Sequence, residues 1–490
     1  MKRKWLAIIV VCSLFIGSAT TYLGIKWTHQ AGTDKEQQEQ VKKKTETEGQ
    51  PSKNKSNPDL SKLEQAYELI ANSYVEKVND KQLIEGAIQG MLASLNDPYS
   101  VYMDAETAAQ FNDTLESSFH GIGAEVTVRD GKLIIIAPFK NSPAEKAGIK
   151  PRDQIVSIDG ESVEGLDLYE ATLKIRGEKG TIVTLGIVRE GIEKPLNIKV
   201  KRDEIPLETV FADIKKHKGK SIGYVEITSF SQETSADFKK EIAKLEKKKI
   251  DGLIIDVRGN PGGLLLSVED ILQEFVTDKK PYVQIEQRDG KKTEQYSELK
   301  ESKPYPITVL IDGGSASASE ILAGALKEVE GYTLVGEHTF GKGTVQQAVP
   351  LEDGSNIKLT MFKWLTPNGN WIHQDGIAPT IEVKQPEYFY IHPLEVQKPL
   401  KKDMNSEQVQ IAQVMLKGLG FGTGRTDGYF SEQTEKAVKA FQYQAKLQQS
   451  GVIDKETAAA IEDSILEEIE KEENDMQLQA ALSILTKENN

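Results

Sequence analysis

The chain has 490 residues, 38% hydrophobic and 28% charged, which is too long for one hydrophobic core and suits a soluble body of several domains. A formal net charge of −14 speaks against nucleic acid as a partner, because phosphate binding needs clustered Lys and Arg. A single cysteine, Cys12, excludes an intramolecular disulfide and Cys-rich zinc sites.

Lys2, Arg3 and Lys4 precede an apolar run from Trp5 to Ile25, about 20 residues and enough to cross a hydrocarbon core of roughly 30 Å. Residues 1–26 are read as a membrane anchor, or as a long signal peptide that Gly17, Ser18 and Ala19 would let be cleaved. Either way the body is expected outside the cytoplasm, anchored to the outer face of a bacterial cytoplasmic membrane or secreted. Val10 and Val11 ahead of Cys12 argue against lipid attachment, which prefers small residues there. Residues 27–57 carry almost no apolar side chain and form a tether that cannot bury enough surface to fold.

Apolar residues return at helical spacing in the region 58–116, first at Leu63, Ala66, Tyr67, Ile70 and Tyr74, then at Leu83, Ile84, Ala87, Ile88 and Met91. The second run stops at Asn96-Asp97-Pro98. Residues 117–203 read as short strands, among them Leu133–Ile136 and Gln154–Ile158, punctuated by Gly and Pro. Over 204–390, strands at 222–227, 252–257 and 307–311 alternate with helices at 235–245 and from about 317 to 329, an α/β pattern with a mainly parallel sheet. The Lys-rich stretch 278–303 reads as an exposed insertion. A linker over 391–404 leads to a compact helical unit at 405–462, and 463–490 reads as a charged, solvated helical tail.

Three segments of the α/β region can carry chemistry. The run Gly313-Gly314-Ser315-Ala316-Ser317-Ala318-Ser319-Glu320 lies between an apolar strand and an amphipathic helix. There a hydroxyl is exposed and helix N-terminal N–H groups point at developing negative charge; an ordinary Ser-rich helix cap is the plainer alternative. Histidine is the usual base for a serine, yet no HExxH or GxSxG pattern is present, and His338 is the best placed of the six histidines. It adjoins Phe340-Gly341-Lys342-Gly343-Thr344-Val345-Gln346, where a lysine sits between two glycines. At a reference pKa near 10.4, about one lysine in 2,500 is neutral at pH 7, a penalty of about 4.6 kcal/mol. Burial lowers a lysine pKa by up to about 3–5 units and removes most of that penalty. The third segment, Arg258-Gly259-Asn260-Pro261-Gly262-Gly263, follows a buried strand. Its glycines permit close backbone approach, so that the N–H of Gly262 or Gly263 would join that of Ala318 in an oxyanion hole.

In this order the three segments resemble the RGNPGG, SASASE and FGKGTVQ motifs of the carboxyl-terminal processing peptidases, over about residues 60–385. The resemblance implies a PDZ-containing serine endopeptidase with an α/β (ClpP/crotonase-like) core, acting on protein substrates with accessible C-termini and needing no cofactor or metal. It assigns the nucleophile to Ser317, the base to Lys342 and support of the lysine to Gln346, a choice among Ser315, Ser317 and Ser319 that the residues alone leave open.

Residues 142–160 resemble a PDZ domain, with Phe119-His120-Gly121-Ile122-Gly123 matching its carboxylate-binding loop; Arg152 stands where such domains carry glycine. The implied peptide-binding residues are Phe119, Gly121, Ile122 and Gly123, with a peptide added to the next strand. Arg176, in an RGxxGT element shared by these peptidases, is implied to sense peptide occupancy, with a surface ion pair to Glu178 as the alternative. Residues 405–460, through Gly418-Leu419-Gly420-Phe421 and Asp427-Gly428-Tyr429-Phe430, resemble a helical peptidoglycan-binding module, which would bind peptidoglycan, pack within the protein or serve dimerisation. A homodimer through the terminal helical regions is expected. The ensemble most resembles the Bacillus branch of the family involved in sporulation signalling. A non-catalytic envelope scaffold is the alternative from another class, and a peptidoglycan hydrolase finds no paired acidic residues or metal ligands to support it.

Overall fold

The computed structural model describes residues 60–487 apart from 116–117, 130, 140–141, 167 and 190–194. The expected anchor and tether lie outside the described residues; among those described, no helix is long and apolar enough to cross a membrane. The N-terminal region comprises helices α1 (Ser61–Ser73) and α2 (Asp80–Ala93), strand β1 (Val101–Met103) and helix α3 (Ala105–Leu115). Helix α2 starts where the Asn79 side chain accepts the Gln82 N–H, a common N-cap. Helix α1 buries none of its residues, and its Leu63, Leu69 and Ile70 are exposed.

The PDZ-like unit follows as β2 (Ser118–Gly121), β3 (Ala124–Arg129), β4 (Lys132–Pro138), α4 (Pro143–Lys146), β5 (Gln154–Ile158), β6 (Glu161–Ser162), α5 (Leu168–Ile175), β7 (Ile182–Val188), β8 (Leu196–Lys201) and β9 (Asp203–Pro206). Its sheet runs β3-β4-β5-β7-β8, with β6 on β5, over a core that includes Ile135, Ile155, Val183 and Ile187. Strands β2 and β9 pair with each other as a separate antiparallel ribbon, so the chain enters and leaves the unit side by side. Arg152, in place of the expected glycine, takes a glycine-like φ of 67°.

The α/β core contains β10 (Val210–His217), β11 (Lys220–Ile227), α6 (Thr234–Lys247), β12 (Gly252–Asp256), α7 (Leu265–Leu272), β13 (Val283–Glu286), β14 (Lys292–Gln295), β15 (Ile307–Ile311), α8 (Ala318–Glu330), β16 (Thr333–Gly336), β17 (Thr344–Pro350), β18 (Asn356–Leu365) and β19 (Ile381–Glu382). One sheet has the order β10-β11-β12-β15-β16-β19, parallel from β11 onward. Every residue of β12 and β15 is buried, which explains their unbroken apolar sequence: a parallel sheet covered on both faces needs no polar alternation. The second sheet, β1-β18-β13-β14 with β17 on β18, is antiparallel, and the N-terminal region joins it through β1. The stretch 278–303 is therefore not a purely exposed insertion: its strand β13 pairs with β18, and Tyr282 and Val283 are buried.

Two further boundaries differ from expectation. Leu394 and Leu400, in the expected linker, belong to the core of the C-terminal module with α9 (Glu407–Gly418), α10 (Glu432–Gln444) and α11 (Lys455–Ile469). The expected solvated tail instead ends in α12 (Met476–Leu485), whose Leu478, Ala481, Leu482 and Leu485 pack on Ile222, Ile254, Leu310 and Val335 across the parallel sheet. The Glu-rich composition of 463–490 hid that apolar face.

Candidate active site

The three chemistry-bearing segments leave the C-terminal ends of neighbouring parallel strands: Arg258–Gly263 after β12, Ser315–Ser319 after β15 and Phe340–Gly343 after β16. That edge of an open α/β sheet is where sites are ordinarily built. Neighbouring parallel strands thus bring together residues some 80 positions apart without any local signal.

The serine turn is held by its neighbours. Ser315 is fully buried and donates to the Val257 carbonyl at 2.8 Å. Ser319, also buried, donates to the Asn260 carbonyl at 2.9 Å. Ser317, by contrast, is not tied to a carbonyl of the glycine-rich segment, and it faces a cleft lined by Gly263, Leu265, Ile321, Thr344, Gln346 and Trp364. Its φ of 55° and ψ of −111° are strained for a non-glycine residue, as expected of a side chain thrust outward at a sharp strand-to-helix turn. The structure therefore separates the three serines that the sequence alone could not.

Glu320, the third residue of the helix α8 turn, ties this turn to the lysine loop. Its Oε2 accepts the N–H of Ser317 and of Lys342, each at 2.8 Å, while Oε1 accepts Thr339 Oγ1 and the Gly341 N–H. Burial raises its pKa, and these hydrogen bonds oppose the rise. The glycines around Lys342 answer to packing: a Cβ on Gly343 would lie 2.8 Å from the His373 N and the Trp371 Nε1, and one on Gly341 would meet the Gln374 backbone at 2.9 Å.

Lys342 is wholly buried and its Nζ has no hydrogen-bond partner. Burial drives its pKa far below the ordinary lysine value; nearby Lys358 adds to that, and Glu320 and Asp97 oppose it. Gln346 follows a β-bulge between Val345 and Gln346. Its Nε2 donates to Thr344 Oγ1 and Thr360 Oγ1, each at 3.0 Å, and its buried Oε1 has no partner. Ser317 and Gln346 line one cleft, and the backbone of Lys342 shares the Glu320 carboxylate with that of Ser317; among the described residues no hydrogen bond joins the three side chains. His338 is exposed and lines another cavity with Asp312 and Glu337.

For the expected oxyanion hole, the two glycines prove unequal. The Gly262 N–H is taken by Asn260 Oδ1 at 2.8 Å, so it is not available. Among the described residues, no backbone acceptor outside the helices and strands takes the N–H of Gly263 or of Ala318. Gly262 still matters sterically, since a Cβ there would fall 2.9 Å from the Ser317 Cβ and 3.0 Å from the Ala318 N.

In the PDZ-like unit the expected residues form a cluster of their own. The Arg176 guanidinium lies 4.8 Å from the centre of the Phe119 ring, and a Cβ on Gly121 would touch both side chains. Ile122 is buried in the unit's core, and at Gly123, with φ 70°, a Cβ would fall 2.6 Å from the Ser142 Cβ. Ile122 can therefore serve a peptide only through its backbone.

The profile of peptidase family S41 matches residues 221–383, a PDZ domain 121–200, the activating protease CtpB N-terminal domain 14–107, and a peptidoglycan binding domain 405–461. The carboxy-terminal processing protease CtpB of Bacillus subtilis is 56% identical over 485 residues, covering 99% of this chain and 99% of its own. The chain belongs to the carboxy-terminal processing proteases. A second relative, carboxy-terminal processing protease CtpA of Bacillus subtilis, is 42% identical over 442 residues, 90% of this chain and 93% of its own. Among solved structures, a photosystem II D1 C-terminal processing protease matches 66% of this chain and 87% of its own at 29% identity, with a TM-score of 0.42. This processing protease is accordingly a serine protease with a multidomain α/β architecture.

Some residues at the protease's site escaped the sequence reading. Glu320 was within reach, because Ser followed three residues later by Glu at a helix start is a capping-box signature. Thr360, Lys358 and Tyr99 carried no such signal, since each acts across the fold.

Proposed function

We propose that the protein is an extracytoplasmic endopeptidase that cuts protein substrates near their C-termini, with Ser317 as nucleophile and Lys342 as general base. The observation that carries this reading is Lys342 itself: a wholly buried amine without a hydrogen-bond partner, on a loop stapled by Glu320 to the turn that presents Ser317. Dehydration keeps such an amine neutral and able to take the serine proton. Gln346 Oε1 is an orphaned acceptor and Lys342 Nζ an orphaned donor; a hydrogen bond from Lys342 would satisfy both and orient the amine's lone pair toward Ser317. Attack by Ser317 Oγ on the scissile carbonyl gives an oxyanion that the N–H groups of Gly263 and Ala318 receive. Lys342 then passes the proton to the leaving amine, and a water activated by the same lysine hydrolyses the acyl-enzyme.

The unjoined Ser317, Lys342 and Gln346 support gating. An orphaned buried polar group costs about 1–3 kcal/mol, and a substrate tail bound at Phe119, Gly121, Gly123 and Arg176 would shift the balance toward the joined state. Residues 1–26 would anchor the enzyme to the membrane, the C-terminal module would bind peptidoglycan, and the exposed apolar face of α1 supports a homodimer. The role in sporulation signalling rests on the family resemblance.

Cleavage of casein by the full chain, beside Ser317→Ala and Lys342→Ala, tests the chemistry. We expect both variants to fold and to lose activity by at least about a thousandfold. Activity surviving in Ser317→Ala would overturn the assignment, and an inert parent, even with added C-terminal peptides, would favour the scaffold reading.

A further inference from the structure

The loop Asn96–Ser100, which ends the second N-terminal helix, reaches the lysine from outside the α/β core. Lys342 Nζ lies 5.1 Å from the centre of the Tyr99 ring. The loop is fixed in place by its own hydrogen bonds. Asp97 accepts the Tyr99 N–H at 3.1 Å and the Ser100 hydroxyl at 2.6 Å. Ser100 Oγ in turn accepts the Thr360 N–H of β18 at 3.0 Å, and Thr360 Oγ1 is one of the two acceptors that hold the Gln346 amide. One short chain of bonds therefore runs from the N-terminal region to Gln346, while the ring carried by the same loop closes over Lys342. The pattern repeats at Lys358, also buried, whose Nζ lies 5.1 Å from the centre of the Phe111 ring on α3.

We propose that Tyr99, clipped in place by Asp97 and Ser100, is a positioning residue that seals Lys342 from water and so makes the N-terminal region a part of the active site. The inference rests on the Ser317–Lys342 reading and adds to it a cover supplied by another domain. The face of an aromatic ring does attract an ammonium group, which by itself favours the charged amine. Water solvates an ammonium far better than a ring does, however, so exchanging the ring for water favours the charged form more strongly still. The other groups facing Lys342 are Lys358 on β18, Glu320 on α8 and Asp97 on the loop itself, with His373 against the edge of Tyr99 at 6.4 Å between ring centres. Of these, only the loop groups belong to a segment outside the α/β core.

The pH dependence of kcat/KM for casein, measured on the full chain, tests the cover. Activity requires neutral Lys342, so it rises with pH through that residue's pKa, and opening the site to water moves the rising limb to higher pH. In Tyr99→Ala we expect the limb to move up by about one unit or more, read as about tenfold less activity at any pH below it, with much of the loss recovered at high pH. Tyr99→Phe, which keeps the ring, should leave the limb in place. Ser100→Ala, which releases the clip, should move it in the same direction and serves should Tyr99→Ala not fold. A limb that stays put in the Ala variants while activity falls equally at every pH would overturn the inference, leaving Tyr99 a merely structural residue. Should Lys342→Ala remain active, the dyad fails and the cover with it; should Lys342→Ala be inert while the limb stays put, the cover alone fails.

Discussion

Ser315, Ser317 and Ser319 are equivalent in sequence and unlike in surroundings. Ser315→Ala removes a buried donor from the Val257 carbonyl and is expected to cost about 1–3 kcal/mol of stability while keeping the chemistry. A denaturant titration set beside a casein assay separates that pattern from Ser317→Ala, where activity goes and stability stays. Gly262→Ala should do both kinds of harm, since its φ of 103° is foreign to alanine and the new methyl would meet the Ala316 carbonyl at 2.8 Å. Lys358 gives a pH signature. Burial pushes its pKa down to about 8, so below pH 8 the folded protein carries a buried charge that the unfolded chain keeps in water. Between about pH 8 and 10.4 the unfolded lysine still holds its proton while the folded one has lost it, and stability rises with pH. The total for this residue is about 3 kcal/mol. Lys358→Met should therefore be more stable than the parent at pH 7 and should gain less between pH 8 and 10; parallel stability curves would refute this. Of these residues only the motif members were legible in the sequence. The serines needed their partners, and a buried lysine within an alternating strand looks like any exposed one.

Strands β12 and β15 and the helix after the serine turn could be read from apolar runs and helical spacing, because both signals are local. Strand β13 could not, for the lysines around it mark the outer parts of a hairpin whose inner strand lies against β18. Helix α12 was hidden in the same way. It ends a Glu-rich stretch, yet it packs across the central strands on one face of the parallel sheet, and just ahead of it Asp475 binds Arg258, the arginine of the glycine-rich segment, at 2.8 Å. Each leucine buried there contributes about 1.5–3 kcal/mol. A chain stopped after residue 474 should therefore lose several kcal/mol and, with Arg258 released, its protease activity as well. Thermal unfolding of that truncation, compared with Asp475→Asn, distinguishes loss of the apolar cover from loss of the ion pair; a truncated chain with parental stability would contradict the packing argument.

In the whole molecule, the PDZ-like unit hangs on the β2–β9 ribbon, which suits a part that changes position while keeping its own core. Arg176→Ala should abolish stimulation of casein cleavage by added C-terminal peptides and leave unstimulated cleavage near the parental rate; undiminished stimulation would end the gating role of Arg176. The apolar residues left exposed on α1 predict a dimer in sedimentation at micromolar concentration, converted to monomer by Leu63→Glu with Leu69→Glu. The position of α12 bears as well on when the enzyme comes into being. Ser317, Lys342 and the glycine-rich segment are all made before residue 390, but the sheet that carries them receives the helix of its second covering layer from residues made after the wall-binding-like module. A chain made only as far as residue 474 thus has every reacting group and an unfinished floor beneath them. The floor under the site is therefore completed by residues far along the chain from the groups it supports.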